Sequence, residues 1–174
     1  MSVAIVLAAI LPALFVAAAV FDLATYTIPN FVTGAMIMLF AVLAAVMAIG
    51  GHPLGLGDIG LHVLAGIVGL FAGAVFFALR WVGGGDAKLF AAAALWLGWD
   101  ALFQYAVLGA ILGGFFTIGI LMVRQIPLPT VLVTMPWFAR LTDRKQGVPY
   151  GVTLAMAALN MWPGTELFRL VVTS

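Results

Sequence analysis

Residues 3–22 read VAIVLAAILPALFVAAAVFD: an uncharged apolar run from Val3 to Phe21, closed by Asp22. A helix needs about 20 such residues to cross the hydrocarbon core of a bilayer. Runs of the same kind recur at Phe31–Ile49, Ile59–Val82 and Ala101–Val123. Only 7% of the 174 residues are charged and 66% are apolar, whereas soluble domains carry about 25% charged residues. With a mean hydropathy of +1.26, the chain has too little polar surface to stay in water. The fold class that follows is all-α: a polytopic membrane protein. Ala17-Ala18-Ala19 imitates a signal-peptide cleavage site, but Met1-Ser2-Val3 lacks the positive charge of such a peptide, so the run is expected to be a retained first helix.

Two weaker runs, Ala87–Gly98 and Gly151–Val172, bring the expected number of transmembrane helices to about six, in a single domain covering residues 1–174. Turn chemistry separates them at Pro29-Asn30, Gly50-Gly51-His52-Pro53, Gly83-Gly84-Gly85 and Gly98-Trp99-Asp100. Asn30 is the expected N-cap of the second span. Pro163-Gly164 and Glu166 interrupt the sixth, which makes a shorter helix with an irregular tail the alternative. With the N-terminus outside, Arg80, Lys88, Arg124, Arg140, Arg144 and Lys145 share one side and only Arg169 lies opposite. The positive-inside rule makes the crowded side cytosolic. The segment 124–150 is then a cytosolic, interfacial loop, with Trp137, Val131 and Leu132 at the lipid boundary and Arg140, Arg144 and Lys145 snorkelling.

A net charge of +1 and the lack of a basic stripe argue against nucleic acid as a partner. The absence of Cys excludes thiol catalysis, disulfides and Cys-based zinc sites. His52 and His62 fall on or near the outer side and read as structural or incidental. No metal or organic cofactor is implied. The acids carry more information, because a carboxylate in or near lipid is costly. Asp143 and Glu166 lie in the polar loop or near a helix end, and Asp100 sits in an outer turn beside Trp96 and Trp99, at the interface. Asp22 and Asp86 remain, both on the cytosolic side. Each has an ordinary structural explanation: a helix-end carboxylate for Asp22 and an N-cap for Asp86. Three glycines before Asp86 exceed what a cap needs, and they let another backbone lie against the chain. The span after Asp86 is also short, about 18 Å of helix against a core of about 30 Å, which sinks Asp86 below the inner surface. Two close carboxyls share one proton and can activate water toward a carbonyl. Gly55-Leu56-Gly57-Asp58 repeats the glycine-aspartate pattern, but on the outer side, where Asp58 is expected to cap the third span.

Asp22 with Ile28-Pro29-Asn30, then Gly83-Gly84-Gly85-Asp86-Ala87-Lys88-Leu89, then Val148-Pro149-Tyr150-Gly151-Val152, resembles the type IV prepilin peptidases. The resemblance covers nearly the whole chain. It implies an aspartic endopeptidase of the bacterial inner membrane with Asp22 and Asp86 as catalytic residues. Gly83, Gly85, Lys88, Pro149, Tyr150 and Gly151 are then expected to shape the site or bind substrate. Prepilins or pseudopilins are the implied partners, with a short basic leader that ends in Gly before a hydrophobic helix. The early position of Asp22 and the lack of Cys imply the short form that serves tight-adherence pili, without the methylation-associated domain. The segment between Asp22 and Ile28 lacks the basic residues common in relatives. Two other readings stay open here: a protease of the signal-peptide-peptidase type, and a small transporter or structural subunit. The Pro-Ala-Leu of the former type occurs only at Pro12-Ala13-Leu14, ahead of both aspartates.

Overall fold

The computed structural model describes residues 3–49, 55–126 and 134–173. Among them all regular structure is helical: α1 (Val3–Thr25), α2 (Asn30–Ile49), α3 (Leu56–Ala78), α4 (Gly84–Leu97), α5 (Trp99–Val123), α6 (Pro136–Thr142), α7 (Tyr150–Met161) and α8 (Glu166–Thr173). A 3-10 turn at Trp162–Gly164 joins α7 to α8. Lipid offers backbone groups no hydrogen-bond partner, so a spanning segment must satisfy them internally, as a helix does. Helices α1, α2, α3 and α5 are each long and apolar enough to cross a membrane.

The other two expected spans are shorter than that. The fourth begins at Gly84 and has 14 residues, about 21 Å of helix. The sixth is broken where Pro163 follows Trp162, leaving the 12-residue α7 and the 8-residue α8. Asn30 is the first residue of α2 rather than its cap, and its side chain accepts a bond from Lys88 Nζ instead (2.8 Å).

Helix α4 is the axis of the bundle, with α2, α3, α5 and α7 packed around it. The run Ala91-Ala92-Ala93-Ala94 keeps it thin enough for close neighbours on every side, and Leu89, Ala92, Ala93, Ala94 and Trp96 are all buried. Trp96 is therefore core, not the interfacial anchor its neighbour Trp99 resembles. Its indole N–H donates to Met36 O of α2 (3.0 Å), and its ring meets Phe40 and Trp162 edge-on. Trp99 is the exposed one.

Helix α3 runs antiparallel to α4 along a seam of small residues, Gly66, Gly69 and Gly73. Association of helices in lipid depends on such close packing rather than on the hydrophobic effect. A Cβ on Gly73 would lie 2.9 Å from both Cα and Cβ of Ala87, so the seam tolerates no side chain there. Away from the seam α3 is exposed, Phe71 by 72%, as suits a lipid-facing wall. At the far end of the seam His62 Nδ1 donates to Leu95 O (2.8 Å), tying off a carbonyl at the end of α4. That is the structural role expected of His62. His52, Val131 and Leu132 lie outside the described residues.

Candidate active site

Helix α1 buries the stripe Ala8, Leu11, Phe15, Ala18, and the next residue on that face is Asp22. Its carboxyl therefore points into the bundle, and the residue is only 4% exposed. One turn later the helix stops. Tyr26 adopts φ 56° and its N–H bonds Asp22 O (2.8 Å), a left-handed termination usually made by glycine. Holding a tyrosine there costs roughly 1 kcal/mol. The segment after α5 secures the same helix end. Arg140 Nη1 donates to Ala24 O (3.1 Å), and the Tyr26 hydroxyl donates to Arg140 O (3.4 Å). Arg124 in turn holds the segment through Leu141 O and Gly147 O (2.9 and 3.1 Å). Part of the expected interfacial loop is thus a strut under the end of α1.

Asp86 comes from the first turn of α4. Helix α3 ends in a Schellman turn with Arg80 at φ 59°, Trp81 N bonding Phe76 O and Arg80 N bonding Phe77 O. Gly83 then caps α4, and the Asp86 carboxylate accepts the Gly83 N–H at 3.1 Å. Asp86 is thus not the N-cap residue itself; it sits three positions in and bonds back to the cap. It is 8% exposed.

The third element is the start of α7. Pro149, buried, caps this helix, and Gly151 lies in its first turn. A Cβ on Gly151 would lie 2.8 Å from Asp22 Oδ2 and 2.6 Å from Ile28 Cδ1, so only glycine fits between them. The backbone amide of Gly151 acts on both the Asp22 and the Asp86 carboxyls, and the Asp86 charge acts on Asp22. The amide of Val152 also acts on Asp22. Asp22 Oδ2 is buried and has no hydrogen-bond partner of ordinary geometry among the described residues. Tyr150 lays its ring on Gly113 of α5 and pairs its hydroxyl with Thr117 Oγ1 (3.3 Å), which fixes the first turn of α7 laterally.

Ile28 locks the three elements together. It is buried, fills the space over Gly151, and sits where a Cβ on Gly85 would meet its N and Cβ at 3.2 Å. Sequence reasoning quoted Ile28 without a role; its one visible signal was an isolated apolar residue in a polar turn. Tyr26, Arg124 and Arg140 were missed as site supports, because only the tertiary fold brings them under α1. Of the expected site residues, Asp22, Gly83, Gly85, Asp86, Pro149, Tyr150 and Gly151 converge on one place. Lys88 does not join them: two residues on, and so on another face of α4, its ammonium bonds Asn30 Oδ1 on the α2 side.

Asp58 is at the opposite end of the α3–α4 seam, exposed, beside His62, Asp100 and Glu166. Like Asp86, it is not an N-cap but the third residue of its helix, accepting the Gly55 N–H at 3.0 Å.

The fold and this geometry define a polytopic helical membrane protein with two recessed carboxyls brought together from separate helices. Residues 9–118 match the type IV leader peptidase family, and the chain belongs to that family. It is a membrane peptidase by that membership. The matched stretch includes both aspartates and stops before Val148–Val152. No curated protein and no solved structure matches the chain.

Proposed function

We propose that the protein is an aspartic endopeptidase of the bacterial inner membrane, with Asp22 and Asp86 as its catalytic pair. Its substrates are prepilins or pseudopilins, from which it removes a short basic leader at the cytosolic membrane face. The observation that carries this reading is the burial of two carboxyls from separate helices, α1 and α4, near enough for the charge of one to act on the other, with Gly151 of α7 closed against Asp22. Buried acids in a membrane protein are retained where they do chemistry.

In this mechanism the pair shares one proton, since two adjacent carboxylates do not both ionise readily. The ionised carboxylate takes a proton from water as the water oxygen attacks the scissile carbonyl carbon. The protonated partner donates its proton to the carbonyl oxygen, giving a neutral gem-diol. As the C–N bond breaks, one diol hydroxyl gives its proton to the carboxylate that had protonated the carbonyl, and the carboxyl that took a proton from water passes it to the leaving amine, so the dyad again holds one proton. The Gly83 amide anchors Asp86, and the bulk of Ile28 over Gly151 keeps Asp22 from swinging away. The cytosolic assignment rests on Arg80, Lys88, Arg124 and Arg140, which belong to the same end of the bundle as the dyad.

The test is cleavage of a purified prepilin in detergent, read as a mobility shift. The intact protein should cut after the leader glycine and remain active with EDTA and with thiol reagents. Loss of cleavage with EDTA and its return with zinc would sink the two-aspartate mechanism.

A further inference from the structure

Two apolar grooves flank α4 on the lipid side of the bundle. One, about 730 Å³, lies between α2 and α3 and carries Lys88 and Asn30 among its lining residues. The other, about 310 Å³, lies between α3 and α5, over α4 and α7. Gly73 and Phe76 of α3, Ala106 and Ala110 of α5, Tyr150 and Asp86 line this second groove.

We propose that the α3–α5 groove is where the hydrophobic helix of the substrate docks, entering sideways from the lipid with its first turn beside Asp86. This rests on the peptidase function proposed above. The groove is continuous with the candidate dyad, because Asp86 is one of its walls. Its α5 wall presents Ala106 and Ala110, one turn apart on the same face. Small residues in that arrangement let a further helix come close in lipid. Charge selects this groove over its larger neighbour. Among the described residues Asp86 is the sole charged one lining it, and a basic leader emerging there meets a carboxyl. In the α2–α3 groove the same leader would meet the Lys88 ammonium. At the dyad end of the groove the Phe76 and Trp81 rings, stacked at 5.7 Å and both exposed, form a rim for the turn between leader and helix.

The chain has no cysteine, so single cysteines can be placed without first removing others. The probe is a prepilin with one cysteine scanned through the first two turns of its hydrophobic helix. It is co-expressed with Asp22→Asn protein, which leaves substrate uncut and the groove lining intact. Under mild oxidation, Ala106→Cys and Ala110→Cys should form disulfides with the probe at least about tenfold more efficiently than Ile37→Cys and Ala41→Cys in the other groove. In the Asp22-intact protein, Ala110→Trp should raise KM about tenfold with little change in kcat, while Ala41→Trp stays within about twofold on both. Crosslinks from Ile37→Cys or Ala41→Cys instead, with cleavage intact in the parent protein, would move the substrate to the other groove and leave the peptidase function standing. No crosslink from either groove, again with intact cleavage, would leave the α3–α5 groove to lipid chains and overturn the proposal. A parent protein that cuts no prepilin overturns the function first and the groove assignment with it.

Discussion

Gly55-Leu56-Gly57-Asp58 and Gly83-Gly84-Gly85-Asp86 are two copies of one local device. Each opens a helix, with φ/ψ of −71°/159° at Gly55 and −73°/154° at Gly83. Each aspartate accepts the amide of the glycine three residues earlier, at 3.0 and 3.1 Å. Locally they are the same structure, and the device needs no catalysis to explain it: it satisfies an orphan N–H at a helix start. The surroundings differ. Asp58 is exposed beside two further acids, whereas Asp86 is buried against Asp22 and the start of α7. A glycine-aspartate turn becomes a candidate active site only where the bundle delivers a second carboxyl and buries the pair.

Removing the carboxylates should break the symmetry most sharply. Asp86→Asn and Asp22→Asn should each reduce leader cleavage by about 1,000-fold or more with the protein still inserted, while Asp58→Asn stays within about twofold. Initial cleavage rates in detergent check this. An inactive Asp58→Asn beside an active Asp86→Asn would exchange the two regions' roles.

The glycines separate the copies next. Gly85 and Gly57 occupy equivalent positions, but a Cβ on Gly85 would press on Ile28 at 3.2 Å, and one on Gly57 meets nothing within 4 Å. Gly85→Ala should lower cleavage about tenfold or more and cost about 1–3 kcal/mol through overpacking. Gly57→Ala should keep activity and stabilise its helix by up to about 1 kcal/mol. Thermal unfolding in detergent, run beside the cleavage assay, reads both.

The two turns are expected to face opposite sides of the membrane. A reporter fused after Lys145 should report the cytosol, and one inserted near His52 the exterior. The reverse would put the aspartates on the wrong face for leader removal.

A smaller effect is expected at the strut. Arg140→Ala removes the guanidinium from Ala24 O and should lower cleavage a few-fold, with a stability loss of about 1 kcal/mol. Arg169→Ala, at the other end of the chain, should leave cleavage within about twofold.

The amino-acid sequence by itself determined the membrane class and singled out Asp22 and Asp86 as a candidate pair; of the six or so spans it implied, four are long and apolar enough to cross a membrane. These rest on quantities that are additive along the chain. Apolar length decides what can cross a bilayer, and the parity of the spans predicts Asp22 and Asp86 at one end of the bundle and Asp58 at the other, where the structure has them. The buried stripe of α1 that leads to Asp22 was not legible, because residues 3–21 are apolar on every face. Tertiary structure alone decided what depends on distances between residues far apart in sequence. Trp96 and Trp99 look alike as interfacial tryptophans, yet Trp96 is core because α2 offers it the Met36 carbonyl. Gly151 could have been any turn glycine until the fold set it 2.8 Å, in the position of a missing methyl, from Asp22 Oδ2. Ile28 became a wedge only because α4 and α7 both begin beside it. Tyr26 and Arg80 take the left-handed conformation without a sequence signal, because the turns they close are set by where α2 and α4 must start. Local spacing specifies a helix and the face it presents; which faces meet is settled by packing.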